Sequence, residues 1–544
     1  MKAKVVLLFL CICTFFSCKK EEENTTAYNE SQEIAKQQLH ENPRMRFKLI
    51  ASKLKNEASI FTPFDEELNR FGQHKYEELK SLILERNILQ LQKEIATKAL
   101  TYQDLTLFYL YRMRLLESDP KTSLHAIISL NTNAIEEAKQ KDETLQNGTR
   151  VNAIFGLPIL LKDNIDTQDM PTTAGAVALL HNTTKDAFIT QQLKNSGAII
   201  LGKANLSEWA YFFCSDCPVG YSAVGGQTLN PYGRKIFESG GSSSGSGVAT
   251  AANYAVAAVG TETAGSILSP SSQNSIVGLK PTVGLLSRDG IIPISSTLDT
   301  PGPMSKFVID NALLLNAMLG KDDNDKASIN ANINNYTVGL DTASFKGRKL
   351  AVISNLLKDS LYASAVKKIK NAGAKIIEIT PPKVSLNGFL TLLSADMKRD
   401  LPSYLNKHSN AKYNSVKDIV TFNEKDSLIN APYGQALFER IVKDTTTNEQ
   451  LHIIRDSLLG NGKKYFEVIK EQHIDAVLSI NNYDAAYAAV AKYPAITVPM
   501  GYKKSGEPIG LTFIAKQFQE HQLLLLASAF ENLTQSRIIP KNYK

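Results

Sequence analysis

The chain has 544 residues, of which 43% are hydrophobic and 21% charged, and its formal net charge is +7. That length exceeds what one small core organises and fits one large α/β domain with additions, or two to three ordinary domains, at the composition of a soluble globular protein. The basic excess is spread along the chain without a concentrated Lys/Arg tract, which argues against a nucleic-acid partner.

In chain order, Lys2 and Lys4 precede an apolar run from Val5 to Phe16 that only Thr14 interrupts. The run is shorter than the roughly 20 residues a spanning helix needs. It stops at Ser17-Cys18, and Lys19 to Asn24 is abruptly polar. The pattern resembles a bacterial lipoprotein signal, with 1–17 removed and Cys18 lipidated as the mature N-terminus. An ordinary cleaved signal peptide is the alternative, and both readings take the protein out of the cytoplasm. The expectation is an exported lipoprotein of a bacterial envelope, held to the membrane by its N-terminal anchor alone. Residues 18–35 are polar and read as a flexible tether.

Residues 36–118 are rich in Leu, Lys, Glu and Gln, and Leu79, Leu82, Ile83, Ile88, Leu89 and Leu91 form a stripe at helical spacing. The segment reads as N-terminal helices packed on the main core. Ser52-x-x-Lys55 matches a penicillin-binding motif by letter and is read as chance on a helix surface.

From about residue 120, Gly, Ser, Thr and Ala become dense. Ala153 to Leu161, Gly197 to Leu201 and Tyr254 to Val259 read as buried strands or strand-helix units. Lys349 to Ile353, Lys375 to Ile379, Ala476 to Ser479 and Ala495 to Met500 read as further strands, with a helix ending at Asn371-Ala-Gly373 between the first two. Residues 395–473 read as helical. This alternation argues an α/β fold around a mostly buried sheet. Cys11 and Cys13 fall in the removed segment and Cys18 takes the lipid. Cys214 and Cys217 remain, where a local disulfide is open to them. Two thiols without a nearby His pair make no four-ligand zinc site.

Ser239 to Ser275 is crowded with Ser and Gly yet contains the apolar run Tyr254 to Val259, which a flexible linker lacks. A Gly/Ser loop around a packed segment suggests backbone N–H groups aimed inward, as in loops that cradle phosphates or oxyanions. No phosphate-loop pattern stands here. Gly241-Ser242-Ser243-Ser244-Gly245 matches the G-x-S-x-G nucleophile elbow, with Ser243 as nucleophile. An elbow needs a strand directly before it, and Arg234 to Glu238 does not read as one.

The wider pattern resembles the amidase signature family. It comprises Gly240-Gly-Ser242-Ser-Ser-Gly245, Gly260-Thr-Glu-Thr-Ala-Gly-Ser266-Ile267, Pro270, and Val277-Gly-Leu-Lys-Pro281-Thr282. Gly284, Ser287-Arg288, Gly290, Pro293 and Asp299-Thr-Pro-Gly-Pro-Met304 continue it. Gly156-Leu-Pro158 to Lys162-Asp163-Asn164, with Thr172-Thr173 and Gly175, resembles the family's lysine segment. Tyr493 to Gly501 and Pro508 to Leu511 resemble its closing strands. The resemblance covers roughly residues 85 to 540, and several motifs agreeing in order and spacing are far more specific than one pattern.

The resemblance implies an α/β/α sandwich with a large mixed central sheet, extra N-terminal helices outside it, and a catalytic domain over 119–544. It implies hydrolysis of linear carboxamides through an acyl-enzyme, on small-molecule or peptide amides, with no metal, no cofactor and no obligate protein partner. In its terms Ser266 is the nucleophile, Ser242 the relay after a cis peptide bond, and Lys162 the base. The backbone N–H groups of Thr263, Ala264, Gly265 and Ser266 form the oxyanion hole, with Asp163, Ser243 and Ser244 as supports around them. Ala264 stands where relatives commonly carry Gly or Asp, and Glu262 where many have Asp. The Gly240–Gly247 and Gly284–Ser295 segments are similar to those of peptide amidases, which act on C-terminal carboxamides.

The chemistry is consistent with those roles. A serine hydroxyl needs a base to become a nucleophile. No His lies between 182 and 407. A lysine serves only when neutral, which burial or nearby positive charge brings about. The apolar run Leu157 to Leu161 leads directly into Lys162. A lipid-anchored binding protein that kept the fold without turnover is the competing class, and the intact Lys162, Ser242 and Ser266 argue against it.

Overall fold

The computed structural model describes residues 29–54, 57–148, 152–333 and 335–544. The segment 1–17, Cys18 and Lys55 lie outside the described residues. Eleven strands form one mixed sheet. From edge to edge they are Ile127–Leu130, Ile199–Ala204, Pro158–Lys162, Ala257–Glu262, Thr300–Ser305, Val277–Lys280, Ala495–Tyr502, Pro508–Ile514, Ala476–Ile480, Lys349–Ile353 and Lys375–Ile379. Pro158–Lys162 runs parallel to both its neighbours, whereas Ala257–Glu262 runs antiparallel to Thr300–Ser305.

Both faces of the sheet are buried, and the side-chain alternation of a strand shows how. Ala476, Leu478 and Ile480 belong to the main core, while Val477 between them faces a second cluster with Ala351, Ala495 and Ile514. This double burial is why these strands read as continuous apolar runs.

The N-terminal helices Asp65–Ile83, Ile88–Ala96 and Tyr102–Glu117 pack on the main core through Leu79, Ile83, Ile88 and Leu91. Leu89, part of the expected stripe, is instead 49% exposed. The last part of the stretch read as a tether forms the helix Glu30–Gln37, because the Asn29 side chain caps it by accepting the Gln32 N–H at 3.2 Å. Ser52 lies in an irregular stretch, not on a helix, and its hydroxyl donates to the Ala223 carbonyl at 2.8 Å. Among the described residues no helix is long and apolar enough to cross a membrane.

A separate helical group covers one end of the sheet. Helices Phe389–His408, Val416–Glu424, Ala436–Lys443 and Asn448–Tyr465 share a buried cluster with Trp209, Phe213, Ile292, Ile294 and Leu298. Cys214 and Cys217, joined by a disulfide, lie in the same cluster. The helical group therefore rests on the 205–217 and 290–298 loops, which border the candidate site.

Candidate active site

Lys162 is the last residue of its strand, and the parallel strand beside it pairs Val259 with Leu161. That register brings Thr261 next to the lysine. The Lys162 amine lies 2.7 Å from Ser242 Oγ, 2.8 Å from Thr261 Oγ1 and 3.2 Å from the Thr261 carbonyl oxygen. Asn164 Nδ2 donates to Thr261 Oγ1 at 3.1 Å and fixes that hydroxyl. Lys162 is fully buried. Burial pushes its pKa down to about 7, against the opposing pull of the Asp299 and Glu262 carboxylates. An ammonium taken out of water loses hydration that two polar neighbours only partly replace, so the neutral amine becomes accessible at physiological pH.

Ser242 sits just before the helix Ser244–Ala251, and the Gly241–Ser242 peptide bond is cis. The Ser207 N–H donates to its carbonyl at 3.0 Å. The next residue ties the two serine segments together, since the Ser243 N–H donates to the Ser266 carbonyl at 3.1 Å. Gly240 allows the loop to lie this close: its φ is +67°, and an added Cβ would stand 2.6 Å from Pro270 Cα.

The Ser243 hydroxyl donates to the Thr261 carbonyl at 3.0 Å and accepts the Thr261 N–H at 3.2 Å. It is fully buried and committed to strand backbone, and no strand leads into it. The nucleophile-elbow reading of Ser243 is therefore wrong. Ser243 instead clamps the strand that carries Thr261. Ser244 is buried at the start of the following helix.

Ser266 is half-buried in the turn that follows the Ala257–Glu262 strand. Among the described residues, no acceptor takes the N–H groups of Thr263, Ala264, Gly265 and Ser266. The turn is shaped from beneath by Glu262, whose carboxylate accepts the N–H groups of Ile267 at 2.8 Å and Leu268 at 3.0 Å. Gly265 has φ +99°, and a Cβ there would meet Asn482 Nδ2 at 3.0 Å. On the far side, Thr263 Oγ1 donates to Asp299 at 2.6 Å, and Asp299 also accepts the Ile294 and Ser295 N–H groups at 2.8 Å. Burial pushes the Asp299 carboxyl up to about 6.

Asp163 does not touch the Lys162 amine. It forms an ion pair at 3.2 Å with Lys203, both side chains fully buried, and accepts from the Thr173 hydroxyl and, at 3.2 Å, the Thr173 N–H. Lys203 also donates to Thr172 Oγ1 at 2.9 Å. Asp163 thus anchors the 172–175 loop, one residue beyond the lysine. Thr261, Asn164, Asp299 and the clamping carboxylate of Glu262 carried no role in the sequence reading. Only the fold shows that they converge.

The chain and its fold are similar to known proteins. The amidase family model matches residues 104–448 and 462–524. A probable amidase of Arabidopsis thaliana is 35% identical over 477 residues, covering 84% of this chain and 92% of the relative. The crystal structure of an amidase family protein from Bacillus anthracis superposes with a TM-score of 0.86 at 35% identity, over 90% of this chain and 99% of that one. The peptide amidase of Stenotrophomonas maltophilia superposes with a TM-score of 0.80 at 36% identity, over 84% of this chain and 98% of that one. By these matches the chain belongs to the amidase family and is an amide hydrolase.

Proposed function

We propose that hydrolysis proceeds through Ser266 as nucleophile, Ser242 as proton relay and Lys162 as base, on the C-terminal carboxamides of peptides. The observation that carries the roles is the buried Lys162 amine 2.7 Å from the Ser242 hydroxyl. A neutral amine has two N–H groups and one lone pair. The Thr261 hydroxyl and carbonyl accept the two N–H groups, and the lone pair then faces Ser242. Lys162 takes the Ser242 proton as Ser242 takes that of Ser266, and Ser266 Oγ bonds to the amide carbon. The unpaired N–H groups of 263–266 stabilise the resulting oxyanion, each worth about 3–4 kcal/mol in related sites. The proton returns through Ser242 to the leaving nitrogen, the C–N bond breaks, and the amine departs. Water then cleaves the acyl ester by the same relay, releasing a carboxylate.

The substrate class rests on similarity to the peptide amidase and on the Gly240–Gly247 and Gly284–Ser295 segments. A panel of peptide amides, simple amides and fatty amides tests it by ammonia release. Turnover of peptide amides at the highest kcat/KM supports the proposal, and preference for either other class refutes it. Labelling by a fluorophosphonate, read by mass on a Ser266 peptide, tests the nucleophile. A label on Ser243 or no label on active enzyme would remove it.

We further propose export and lipid attachment at Cys18, from the Lys2/Lys4 and Val5–Phe16 pattern. Metabolic labelling with palmitate in a bacterial host should mark the wild type and not Cys18→Ser. Equal labelling, or none in either, contradicts the anchor.

A further inference from the structure

A cavity of about 640 Å³ lies at the opposite end of the sheet from Lys162. The strand Thr300–Ser305 measures the separation. Thr300 pairs with Glu262 at the active-site end and Ser305 with Ala257 at the other. Lys306, which follows, is therefore roughly 20 Å along the strand from Thr300. The cavity lies in the range of volumes that enclose small organic ligands.

Lys306 lines this cavity, is 1% exposed, and has no hydrogen-bond partner for its amine among the described residues. Most of the other charged groups around it are engaged. Glu85 and Arg537 form a two-pronged ion pair at 2.8 Å and 2.8 Å, and Arg537 also donates to the Ser275 carbonyl at 2.8 Å. Glu531 accepts the Val308 N–H at 3.0 Å, and burial pushes its carboxyl up to about 8. Asp310 accepts the Ile88 N–H at 2.8 Å through one oxygen and is pushed by burial up to about 7, and its other oxygen has no hydrogen-bond partner among the described residues. Asp341 is exposed at the rim, where water screens it. One buried cation is left without a direct counter-ion, and a buried charge is stable only when paired. The rest of the wall is largely apolar.

We propose that this cavity is a second ligand site that takes an amphipathic monocarboxylate, with the carboxylate on Lys306 and the apolar body against Leu89, Phe307, Ile309, Leu340 and Val498. One free cation matches one negative charge. A phosphate head carries more negative charge than one lysine neutralises, and the Arg537 guanidinium is already occupied. The site stands independently of the roles given to Ser266, Ser242 and Lys162.

Sodium decanoate titrated calorimetrically into the full chain tests this. Wild type and Ser266→Ala should bind one equivalent with the same affinity. Lys306→Met and Leu340→Trp, which fills the cavity and leaves the lysine in place, should each bind at least about tenfold more weakly. Four results overturn the proposal. These are no binding by wild type at millimolar decanoate, undiminished binding by a folded Lys306→Met, undiminished binding by Leu340→Trp, and loss of binding when fluorophosphonate occupies Ser266.

Discussion

Replacing Lys162 with Met should stabilise the folded protein near neutral pH, and the gain should fade as the pH rises. The ordinary lysine pKa of 10.5 falls to about 7 in the fold because burial strips water from the ammonium. Between those values the unfolded chain holds a proton that the folded chain has released, so wild-type stability rises with pH across that window. Below the folded pKa the penalty is complete, and above the unfolded pKa it is absent. At roughly 1.4 kcal/mol per pKa unit, the penalty is on the order of 4 kcal/mol at neutral pH. Methionine fills similar volume and carries no proton. The bonds it gives up to Ser242 and Thr261, about 1 kcal/mol each, shift the balance by an amount that does not follow the lysine's titration. Urea unfolding of both proteins from about pH 7 to about pH 9.5 reads the difference. The stability difference should move by about 3 kcal/mol in favour of the wild type over that interval. A difference that stays constant with pH would show a lysine charged in the fold at these pH values, and the neutral-base reasoning would fail.

Three further outcomes follow from the site geometry. Thr261→Val removes the hydroxyl that orients the amine and keeps the carbonyl, so kcat/KM should fall about fivefold, for about 1 kcal/mol, with the pH profile shifted to the acid side; a wild-type profile would exclude a positioning role. Asp163→Ala leaves the Lys203 ammonium buried and unpaired, which should cost about 3–5 kcal/mol in urea unfolding. A loss near zero would mean that the pair does not anchor the 172–175 loop. Ser243→Ala should keep fluorophosphonate labelling of Ser266, because its hydroxyl serves strand backbone. Abolished labelling in a folded variant would return Ser243 to the chemistry.

Much of the sheet was legible because strands announce themselves as runs of β-branched residues and Leu: Lys349–Ile353 and Lys375–Ile379 match their expected bounds. Thr300–Ser305 was not, since its sequence TPGPMS carries two prolines and a glycine. It is a strand because Ala257–Glu262 supplies a ladder along its length, and the prolines at 301 and 303 lie where its other neighbour does not pair. Ile127–Leu130 is an edge strand of four residues, too short for a periodic signal. In the site, Lys162, Ser242 and Ser266 stood out through several motifs in a fixed order. Thr261 did not, because a threonine two residues before the turn resembles any strand threonine. Its importance comes from the register that sets Val259 against Leu161. Asp163 reads from the sequence only as a support of the site, and its pairing with Lys203, a partner 40 residues away, becomes visible only when the parallel strands bring the two together.

The rate of Ser266 phosphonylation by a fluorophosphonate, with fluoride as leaving group, followed by intact mass as a function of pH, tests the proposed chemistry most directly. In the wild type it should climb through a midpoint near the Lys162 value of about 7 and level off at alkaline pH. In folded Lys162→Ala it should be slower by about two to four orders of magnitude, with that midpoint gone. Labelling of Lys162→Ala at the wild-type rate, or a wild-type rate indifferent to pH, would contradict a neutral lysine driving the two serines.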